Sequence, residues 1–399
     1  MTGPAARPLT VVHLITGLNR GGAEMFLARL VGGLDRGRFR NVVVSLTDEG
    51  DVAPFIRAAG VPVHALGMRR GVPGPGALVR LVALLRRERP DVLQTWLYHA
   101  DLAGLLAGRV AGVPAVAWNL RCSDTAGAGG PSLLLRALRA LSSRPDVVVV
   151  NSRTGWHHHA RLGYRPRGWA LIGNGVDVDA FRPSPAARTR LRAELGIGSG
   201  APVVGMVARW DPLKDHGTFV RAAGRLHAAR PDAVFVLAGR GVNGGNEALR
   251  AQLEGAGLDG SVRLLGPRDD LSDLYPVFDV AALTSTSEGF PNVVVEAMAC
   301  GVPCVVTDAG DAAAIVDGTG AVVPPGDDGA VAAAWARLLD LPADERAALG
   351  RAARARVVEA FSLEAALRSY EALYARLGRR PAAPALVRAG RLPEPETTP

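Results

Sequence analysis

The hydrophobic positions of this chain fall into short runs of mostly β-branched residues, separated by longer segments of mixed polarity. The runs lie at 10–16, 41–46, 92–96, 115–118 and 147–150 in the first half, and at 203–208, 234–238, 261–265, 280–284 and 303–307 in the second. Segments with helical spacing, such as 22–33 and 76–89, lie between them. Apolar runs that alternate with helices are typical of buried parallel strands and their crossovers. The pattern predicts an α/β protein with two doubly wound, Rossmann-like domains.

The domain boundaries follow from changes in composition. Glycine, aspartate and proline cluster between Asn174 and Pro185, which indicates a join. We expect a first domain over 1–180, a second over 181–361, and a final helix at 362–378 that returns to the first domain. After Gly378 the chain is rich in proline, alanine and arginine, and we expect 379–399 to form a flexible tail.

Composition excludes several classes of protein. The chain has 399 residues, of which 48% are hydrophobic and 21% charged, so it is globular rather than disordered. No apolar stretch reaches the roughly 18 residues of a membrane span. The run from Leu9 to Ile15 is too short for a signal peptide, and three cysteines make no disulfide framework. We expect a cytoplasmic protein.

The net charge of +8 is unevenly distributed. Residues 1–180 contain 22 arginines and 12 acidic residues, a net of +10, whereas the remainder carries −2. Without a compact basic stripe and interleaved aromatic residues, nucleic acid is not the expected partner. A diffuse basic half favours an anionic membrane surface or an acidic acceptor. The segment 133–144 contains arginines interspersed among leucines. It either lies on a membrane or packs on the sheet as an ordinary helix.

One basic residue is unlike the others. Of 46 basic residues, 45 are arginine and one is lysine, Lys214. An ammonium is a compact point charge, whereas a guanidinium is planar, so this position either requires an ammonium or has kept its lysine by chance. Asp215 follows Lys214, and no G-x-x-x-x-G-K-[ST] sequence exists, which excludes a P-loop NTPase.

Residues capable of chemistry recur directly after the predicted strands. Ligands bind at the carboxyl ends of the strands in open parallel sheets, and two such edges facing each other would form a cleft between the domains. The residues that follow the predicted strands in this way are Gly17 to Gly22, Tyr98, His99, Asp101, Arg209, Gly239 to Gly241 and Glu288.

The most informative segment runs from Ser287 to Glu296. Glu288 lies in a loop after a strand, and Pro291 suits the first turn of a helix. The N–H groups of Phe290, Asn292 and Val293 would then be available to a phosphate or a sugar hydroxyl. Glu296 stands among apolar residues and needs a partner, which is either the two hydroxyls of a ribose or an arginine of the same protein.

These residues resemble glycosyltransferase family 4, which comprises retaining enzymes of the GT-B fold. Glu288 and Glu296, seven residues apart, resemble its E-x7-E motif, and the likeness extends to Asp308. The segments Ala208–His216, Ile172–Asp177 and Gly17–Glu24 resemble, respectively, its donor-phosphate site, domain crossing and glycine-rich acceptor loop. The resemblance covers roughly residues 10–377 and implies an acceptor-binding N-terminal domain and a C-terminal domain that binds a nucleotide sugar.

The resemblance implies the following site. Arg209 and Lys214 neutralise the diphosphate of the donor, and Glu288 holds the hydroxyls of the donor sugar. Glu296 holds the ribose. Further donor contacts come from Gly289, Phe290, Pro291, Asn292, Val293, Gly239 and Arg240.

The first half supplies the acceptor side. Gly21 and Gly22 allow the backbone to approach a phosphate. His99 matches a family histidine near the transferred sugar, or is simply a surface histidine. Asn119, Arg121 and Ser123 follow a strand end and are expected to touch the acceptor.

No cofactor or metal is expected, because the nucleotide sugar is a substrate and GT-B enzymes generally need no metal. Asp177 and Asp179 spell D-x-D, but they lie in the domain crossing. His157, His158 and His159 are consecutive, so on a helix they splay by about 100° each. Cys300 and Cys304 have no second pair with which to form a zinc site.

The sequence thus indicates a hexosyltransferase that moves a sugar from a UDP- or GDP-linked donor to a lipid-linked or membrane-borne glycan, as in capsule, exopolysaccharide or lipopolysaccharide assembly. We expect a cytoplasmic enzyme with peripheral contact at the inner face of the membrane. One alternative is a soluble natural-product acceptor such as an aminocyclitol. Others are a non-catalytic binding subunit and a related sugar-nucleotide epimerase. An NAD-dependent oxidoreductase is excluded because 17–22 is not G-x-G-x-x-G.

Overall fold

The computed structural model describes residues 7–68, 75–121, 133–258 and 260–378. The expected tail at 379–399 and the candidate acceptor residue Ser123 lie outside the described residues.

Thirteen strands occur in these ranges. They are β1 (Leu9–Ile15), β2 (Phe39–Ser45), β3 (Val63–Ala65), β4 (Val92–Trp96), β5 (Ala115–Leu120), β6 (Val147–Val150), β7 (Trp169–Leu171), β8 (Val203–Val207), β9 (Val234–Ala238), β10 (Val262–Leu264), β11 (Val280–Leu283), β12 (Cys304–Thr307) and β13 (Ala321–Val323).

Fifteen α-helices accompany these strands in the described ranges. They are α1 (Gly22–Gly33), α2 (Ala53–Ala58), α3 (Pro75–Glu88), α4 (Tyr98–Ala111), α5 (Leu133–Leu141), α6 (Arg153–Arg161), α7 (Pro185–Glu194), α8 (His216–Ala229), α9 (Glu247–Gly255), α10 (Leu271–Leu274), α11 (Asn292–Ala299), α12 (Ala312–Val316), α13 (Asp328–Asp340), α14 (Ala343–Ala360) and α15 (Leu363–Gly378).

The strands form two wholly parallel sheets, in the orders β3-β2-β1-β4-β5-β6-β7 and β10-β9-β8-β11-β12-β13. In each sheet the chain first adds strands toward one edge and then returns to add strands toward the other edge. The change of direction lies between β1 and β4 in the first sheet and between β8 and β11 in the second. These reversals are the topological switch points where doubly wound sheets bind ligands. The predicted fold class is confirmed.

Burial of both sheet faces explains the continuous apolar runs. In β8, Val203 packs into one hydrophobic cluster, whereas Val204 and Met206 pack into the cluster on the other face. Side chains alternate between faces along a strand, so a strand covered by helices on both sides needs apolar residues at every position.

The chain divides into two compact units. The first takes in the chain up to Asn151, then Gly155–Ile172 and the chain from Leu367 onward. The second takes in Ser152–Thr154 and Gly173–Ala366. Helix α15 therefore begins in the second unit and continues in the first. There Leu367 packs so closely on Gly33 that a Cβ at that glycine would lie 2.7 Å from the leucine Cδ1.

The sequence pattern missed three short strands, β3, β7 and β13. Each has only three residues and lies at or next to the edge of its sheet, so none has a long apolar run. The pattern also ended β5 too early. The strand continues past the expected end at Trp118 to Leu120, and this places Asn119 inside the sheet with no exposed surface.

A polar network joins helix α15 to the end of β5 within the first unit. The amide of Asn119 and the guanidinium of Arg121 both donate to the hydroxyl of Tyr370, at 2.9 and 2.8 Å. Arg121 also donates to the Asn119 Oδ1 atom at 3.1 Å and lies 4.2 Å from the centre of the Phe26 ring. Burial lowers the pKa of Arg121, and the Tyr370 hydroxyl opposes this shift. The aromatic ring and the hydroxyl compensate for the water that the guanidinium has lost.

Tyr370→Phe should destabilise the protein by about 1–3 kcal/mol, because two buried donors lose their shared acceptor. Tyr374→Phe is a matched control on the same helix. Tyr374 is equally buried, and its hydroxyl has no hydrogen-bond partner among the described residues. Urea unfolding should place the control within about 0.5 kcal/mol of the wild type. Equal losses in both variants would contradict the role given to this network.

Candidate functional site

Three candidate donor residues of the second unit lie after two strands that are hydrogen-bonded neighbours. Arg209 and Lys214 follow β8, and Glu288 follows β11. Because the two strands are parallel and adjacent, their carboxyl ends bring these loops together at the switch point. The sequence placed all three residues after strands, but it did not indicate that the two strands are neighbours.

Lys214 and Glu288 form a short ion pair. The Lys214 Nζ atom lies 2.5 Å from Glu288 Oε1, and the side chains are only 17% and 10% exposed. The Ser285 hydroxyl donates to the same carboxylate oxygen at 2.6 Å. The only lysine of the chain is therefore held by the first glutamate of the E-x7-E pattern. Sequence reasoning missed Ser285, although it too directly follows a strand.

The loops that carry this pair are tied together by Thr284 and Thr286. The Thr284 hydroxyl lies 3.1 Å from the carbonyl oxygen of Lys214 and 3.0 Å from that of Asp215. The amide of Thr286 donates to the carbonyl of Leu213 at 2.9 Å. These bonds fix the backbone on both sides of Lys214, so its ammonium starts from a defined position.

Arg209 is more exposed than Lys214 and is held by Asp211. Its guanidinium donates to Asp211 Oδ2 at 2.7 and 3.0 Å, and the Arg209 side chain is 59% exposed. The other oxygen of Asp211 accepts the amide of Leu213 at 2.9 Å. This backbone bond, the Arg209 hydrogen bond, and the charges of Arg209 and Lys214 lower the pKa of Asp211. One carboxylate thus lies near both cations.

Glu296 lies on helix α11 and is oriented by Tyr275. The buried Tyr275 hydroxyl donates to Glu296 Oε2 at 2.9 Å. Burial raises the pKa of Tyr275 well above its ordinary value, and the charge of Glu296 adds to the shift. The hydroxyl therefore stays protonated and remains a donor. No sequence signal links Tyr275 to Glu296, because they are brought together only by the fold.

Helix α11 begins at Asn292, one residue later than expected. Pro291 is its N-cap and not part of its first turn. Asn292 Oδ1 accepts from the amide of Asn174 at 2.9 Å. The ring of Phe290 packs against Gly173, where a Cβ would lie 3.2 Å from the ring. The start of this helix is thus anchored to Gly173 and Asn174 of the same unit.

Two glycines allow close approach between loops of the second unit. At Gly239 a Cβ would lie 1.9 Å from the carbonyl oxygen of Ala208, just before Arg209. Next to it, the exposed Arg240 accepts the amide of Trp210 through its backbone oxygen at 2.8 Å. At Gly310, with φ +63°, a Cβ would lie 2.4 Å from the carbonyl oxygen of Glu288. The sequence singled out Gly239 but not Gly310.

The glycine-rich loop of the first unit is covered by a carboxylate of its own helix. Gly21 is the N-cap of α1 and Gly22 its first residue. A Cβ on Gly21 would lie 2.4 Å from Glu24 Oε2. Burial raises the pKa of Glu24. Glu24 therefore lies at the helix start where the sequence led us to expect a phosphate of the ligand, and an incoming anion would have to displace it.

His99 is exposed in the first turn of α4, directly after an unusual backbone conformation. Leu97 has φ 73° and ψ 155°, a region that costs a non-glycine residue about 1–3 kcal/mol. Its amide donates to the carbonyl of Asn119 at 3.2 Å, and its own carbonyl accepts the amide of Asp101 at 2.9 Å. The backbone before His99 is thus held from both sides.

Asp101 is fully buried below this turn. Thr95 Oγ1 lies 2.5 Å from Asp101 Oδ1 and 3.2 Å from the carbonyl of Ala117. Burial raises the pKa of Asp101 well above its ordinary value, and hydrogen bonds from the Thr95 hydroxyl and the Asn119 backbone oppose this shift. The surroundings of Asp101 therefore favour its protonated form.

The remaining candidates lie elsewhere. Asp177 Oδ1 accepts the amides of Asp179 and Ala180 at 3.0 Å each, as in a local turn. In the described ranges no three His, Cys, Asp or Glu side chains are grouped so as to hold a metal ion. None of the helices described is both long and apolar enough to span a bilayer.

Comparisons with known proteins match each half of the chain to a glycosyltransferase family. Residues 20–180 match the family described as Glycosyltransferase Family 4, and residues 201–341 match the family described as Glycosyl transferases group 1. The D-inositol 3-phosphate glycosyltransferase of Thermobispora bispora is 30% identical over 69% of this chain and 68% of that protein. The enzyme of the same name from Corynebacterium jeikeium is 37% identical, but the match spans about half of it (51%) and 52% of this chain.

Two further proteins are similar to this chain. The Escherichia coli UDP-Gal:alpha-D-GlcNAc-diphosphoundecaprenol alpha-1,3-galactosyltransferase is 27% identical over 58% of this chain and 61% of its own. The solved structure of Anabaena Alr3699/HepE in complex with UDP has a TM-score of 0.82 at 23% identity, and covers 92% of this chain and 100% of that one. The two doubly wound sheets together with this likeness identify the GT-B fold. The chain belongs to glycosyltransferase family 4, as its motifs indicated.

Gly310→Ala should disturb the Glu288 loop, because the new Cβ would collide with the Glu288 backbone. Gly318→Ala is the matched control. Its φ of +79° is similar, but no atom lies within 4 Å of the added Cβ. Both variants should lose about 1 kcal/mol or more from backbone strain. Only Gly310→Ala should also weaken nucleotide binding, measured by calorimetry on the folded protein. Equal affinities in the two variants would refute the contact.

Asp101→Asn should remove a pH dependence of stability. The folded protein keeps Asp101 protonated, whereas the unfolded chain releases the proton above about pH 4. The stability from this group is fully present below that pH and is lost as the pH rises through the raised folded-state pKa. Relative to the Asp101→Asn variant, which cannot ionise at this position, the wild type should weaken by up to about 1.4 kcal/mol per pH unit.

Urea unfolding of both proteins between pH 4 and pH 8 measures this difference. Asp232→Asn, at an exposed position, is the control for the substitution itself. A difference for Asp101→Asn that does not change with pH would contradict the effect given to burial.

Proposed function

We propose that this protein is a retaining hexosyltransferase that uses a UDP- or GDP-linked donor and a lipid-linked or membrane-borne glycan acceptor, as in capsule, exopolysaccharide or lipopolysaccharide synthesis. The proposal places a cytoplasmic enzyme at the inner face of the membrane. Membership of the family and the GT-B fold support the reaction class. The UDP named for the HepE structure supports a uridine nucleotide as the first donor to test.

The observation that carries the proposal is the short Lys214–Glu288 ion pair at the switch point of the second sheet. An ammonium at this position can bind a diphosphate, and a carboxylate beside it can bind sugar hydroxyls. When donor binds, Lys214 turns from Glu288 toward the phosphate and frees the carboxylate for the sugar. Arg209, which is exposed and paired with Asp211, supplies a second cation for the same phosphates.

Glu296 is proposed to bind the ribose. A carboxylate can accept two adjacent hydroxyls, and the Tyr275 bond to Oε2 fixes its orientation. The backbone from Gly289 to Val293 and the loop at Gly239 and Arg240 complete the donor contacts. The start of α11 adds free N–H groups and the positive end of a helix dipole, which both favour an anion.

The cations matter most during reaction. The bond between the anomeric carbon and the diphosphate oxygen breaks, and negative charge grows on that oxygen. Fixed cations there bind the transition state more tightly than the ground state and so accelerate the step. In the proposed front-face route the acceptor oxygen bonds to the anomeric carbon on the side that the phosphate leaves. The acceptor proton passes to the departing phosphate, so no protein nucleophile is needed.

The acceptor is assigned to the first unit. The net charge of +10 over residues 1–180 favours an anionic acceptor or surface, and the name of the E. coli relative includes a diphosphoundecaprenol acceptor. His99, Gly21 and Gly22 are proposed to contact the acceptor or the transferred sugar. The roles of Asn119, Arg121 and Ser123 stay predictions. The side chains of the first two already bind Tyr370.

A soluble acceptor is the second candidate. Relatives from Thermobispora bispora and Corynebacterium jeikeium are named D-inositol 3-phosphate glycosyltransferases, and a basic half would also suit a small phosphorylated polyol. Transfer assays with both acceptor types separate the two. Product formed with inositol phosphate but not with a polyprenyl-diphosphate glycan would favour the soluble acceptor.

Lys214→Ala should weaken UDP or GDP binding at least tenfold, or about 1.4 kcal/mol, because the diphosphate loses a fixed cation. Glu296→Gln should also weaken it, because a neutral amide binds ribose hydroxyls less strongly than a carboxylate. Isothermal calorimetry with UDP, GDP and their hexose conjugates measures both. The control is Arg250→Ala, which removes an exposed cation outside the proposed site.

The control should bind nucleotide as the wild type does. If neither nucleotide binds the wild type at millimolar concentration, or if Lys214→Ala binds unchanged, the donor site proposed here is wrong.

A further inference from the structure

Three neighbouring helices of the first unit carry an unusual share of exposed apolar side chains. Of nine large hydrophobic residues exposed in the described part of the chain, four lie on α3, α4 and α5. They are Val79 (67% exposed), Leu106 (44%), Val110 (60%) and Leu133 (83%). Helix α4 packs against both α3 and α5, so these side chains belong to one continuous surface. We call it the α3–α5 face.

Arginines accompany these apolar residues. Six are exposed on the three helices, namely Arg80, Arg86, Arg87, Arg109, Arg136 and Arg139. The Arg86 guanidinium donates to the carbonyl of Val110 at 3.1 Å, which ties α3 to the end of α4. Arg109, Arg136 and Arg139 form no ion pair with any described carboxylate.

No accessible carboxylate balances this charge on the helices themselves. Their only acidic residues are Glu88 and Asp101. Glu88 is paired with Arg40 and Arg87, and Asp101 is buried. The α3–α5 face is therefore basic and apolar together.

This combination fits an anionic bilayer better than other partners. Aliphatic side chains enter the boundary between head groups and acyl chains, while arginines beside them attract anionic lipids. A nucleic acid would bind the arginines but gain little from exposed leucine and valine. A second copy of the same face would bring like charges together.

The face also leads to a residue of the proposed site. With about 3.6 residues per turn, His99, Leu106 and Val110 lie along one side of α4, and all three are exposed. His99 lies in the first turn of α4, at the N-terminal end of the helix and next to the carboxyl end of β4. A bilayer against α4 would therefore lie beside the residue proposed to act on the acceptor side.

We propose that the α3–α5 face docks the protein on anionic lipid head groups and so presents the His99 end of α4 to acceptors held in the membrane. The inference deepens the proposed function and rests on its membrane-borne acceptor. It assigns the contact to three helices and not to α5 alone, the stretch singled out in the sequence.

Vesicle co-sedimentation with the full chain tests the proposal. Vesicles of phosphatidylglycerol mixed with phosphatidylcholine should bind the wild type, and binding should fall as salt rises. Pure phosphatidylcholine vesicles should bind much less. The double variant Arg109→Glu/Arg136→Glu should lose at least about tenfold in affinity for the anionic vesicles. Leu106→Ser/Val110→Ser should lose about tenfold at unchanged charge.

The matched control is Arg250→Glu/Arg337→Glu, which changes the net charge equally at exposed positions of the second unit. It should bind vesicles as the wild type does. Absence of wild-type binding to anionic vesicles, or an equal loss in the control, overturns the proposal. Unchanged vesicle binding by Leu106→Ser/Val110→Ser would also overturn it, because it would indicate a general site for polyanions. A dimer of the wild type that this variant loses, measured by sedimentation velocity, would overturn it too, because the face would then serve self-association.

Calorimetric UDP binding keeps this result separate from the donor site. All three variants should bind UDP as the wild type does, which shows that they are folded. If the wild type binds vesicles but not UDP, the donor assignment fails and the docking face stands. If the wild type binds UDP but not anionic vesicles, the docking face fails and the donor assignment stands.

Discussion

The ion pair between Lys214 and Glu288 depends on the way two parallel strands end side by side. Removing two charges from water is costly, so a largely buried pair persists only when the backbone holds both groups and other donors complete their bonds. Ser285 supplies such a donor, and Thr284 and Thr286 tie the two loops together. Gly310 lets the Glu288 loop pass close above it. The donor role proposed for this pair requires it to separate around a charged ligand, and loops held in this way would allow that without reorganising.

The first unit uses buried polar groups to fix its backbone. The Thr95 hydroxyl donates to the buried Asp101 carboxyl below the strained turn at Leu97. Tyr370 collects the donors of Asn119 and Arg121 and so holds helix α15 on the end of β5. Unsatisfied groups in these positions would be expensive, and their bonds therefore specify one arrangement of the loops beside them. Helix α4 shares this support, since it carries His99 at its start and apolar side chains toward its end.

Some expectations from the residues alone were altered by their surroundings. Gly21 and Gly22 do mark the start of a helix, but Glu24 covers it. Asn119 was expected after a strand and lies within one, because β5 continues beside β6. Pro291 caps α11 without entering it. The position of Asn119 depends on the neighbouring strand β6 and on Tyr370, which the local pattern does not identify.

The sequence by itself determined the fold class and the family. Runs of apolar residues reveal strands buried on both faces, and motifs that are close in sequence, such as Glu288 and Glu296 on one loop and helix, need no tertiary information to be recognised. Only the tertiary structure decided which groups meet. Lys214 and Glu288 are 74 positions apart, and Arg121 and Tyr370 are 249 apart. Hydrogen bonds and ion pairs act over a few ångströms, so partners so distant in the chain are selected by strand order and helix packing, which no local pattern records.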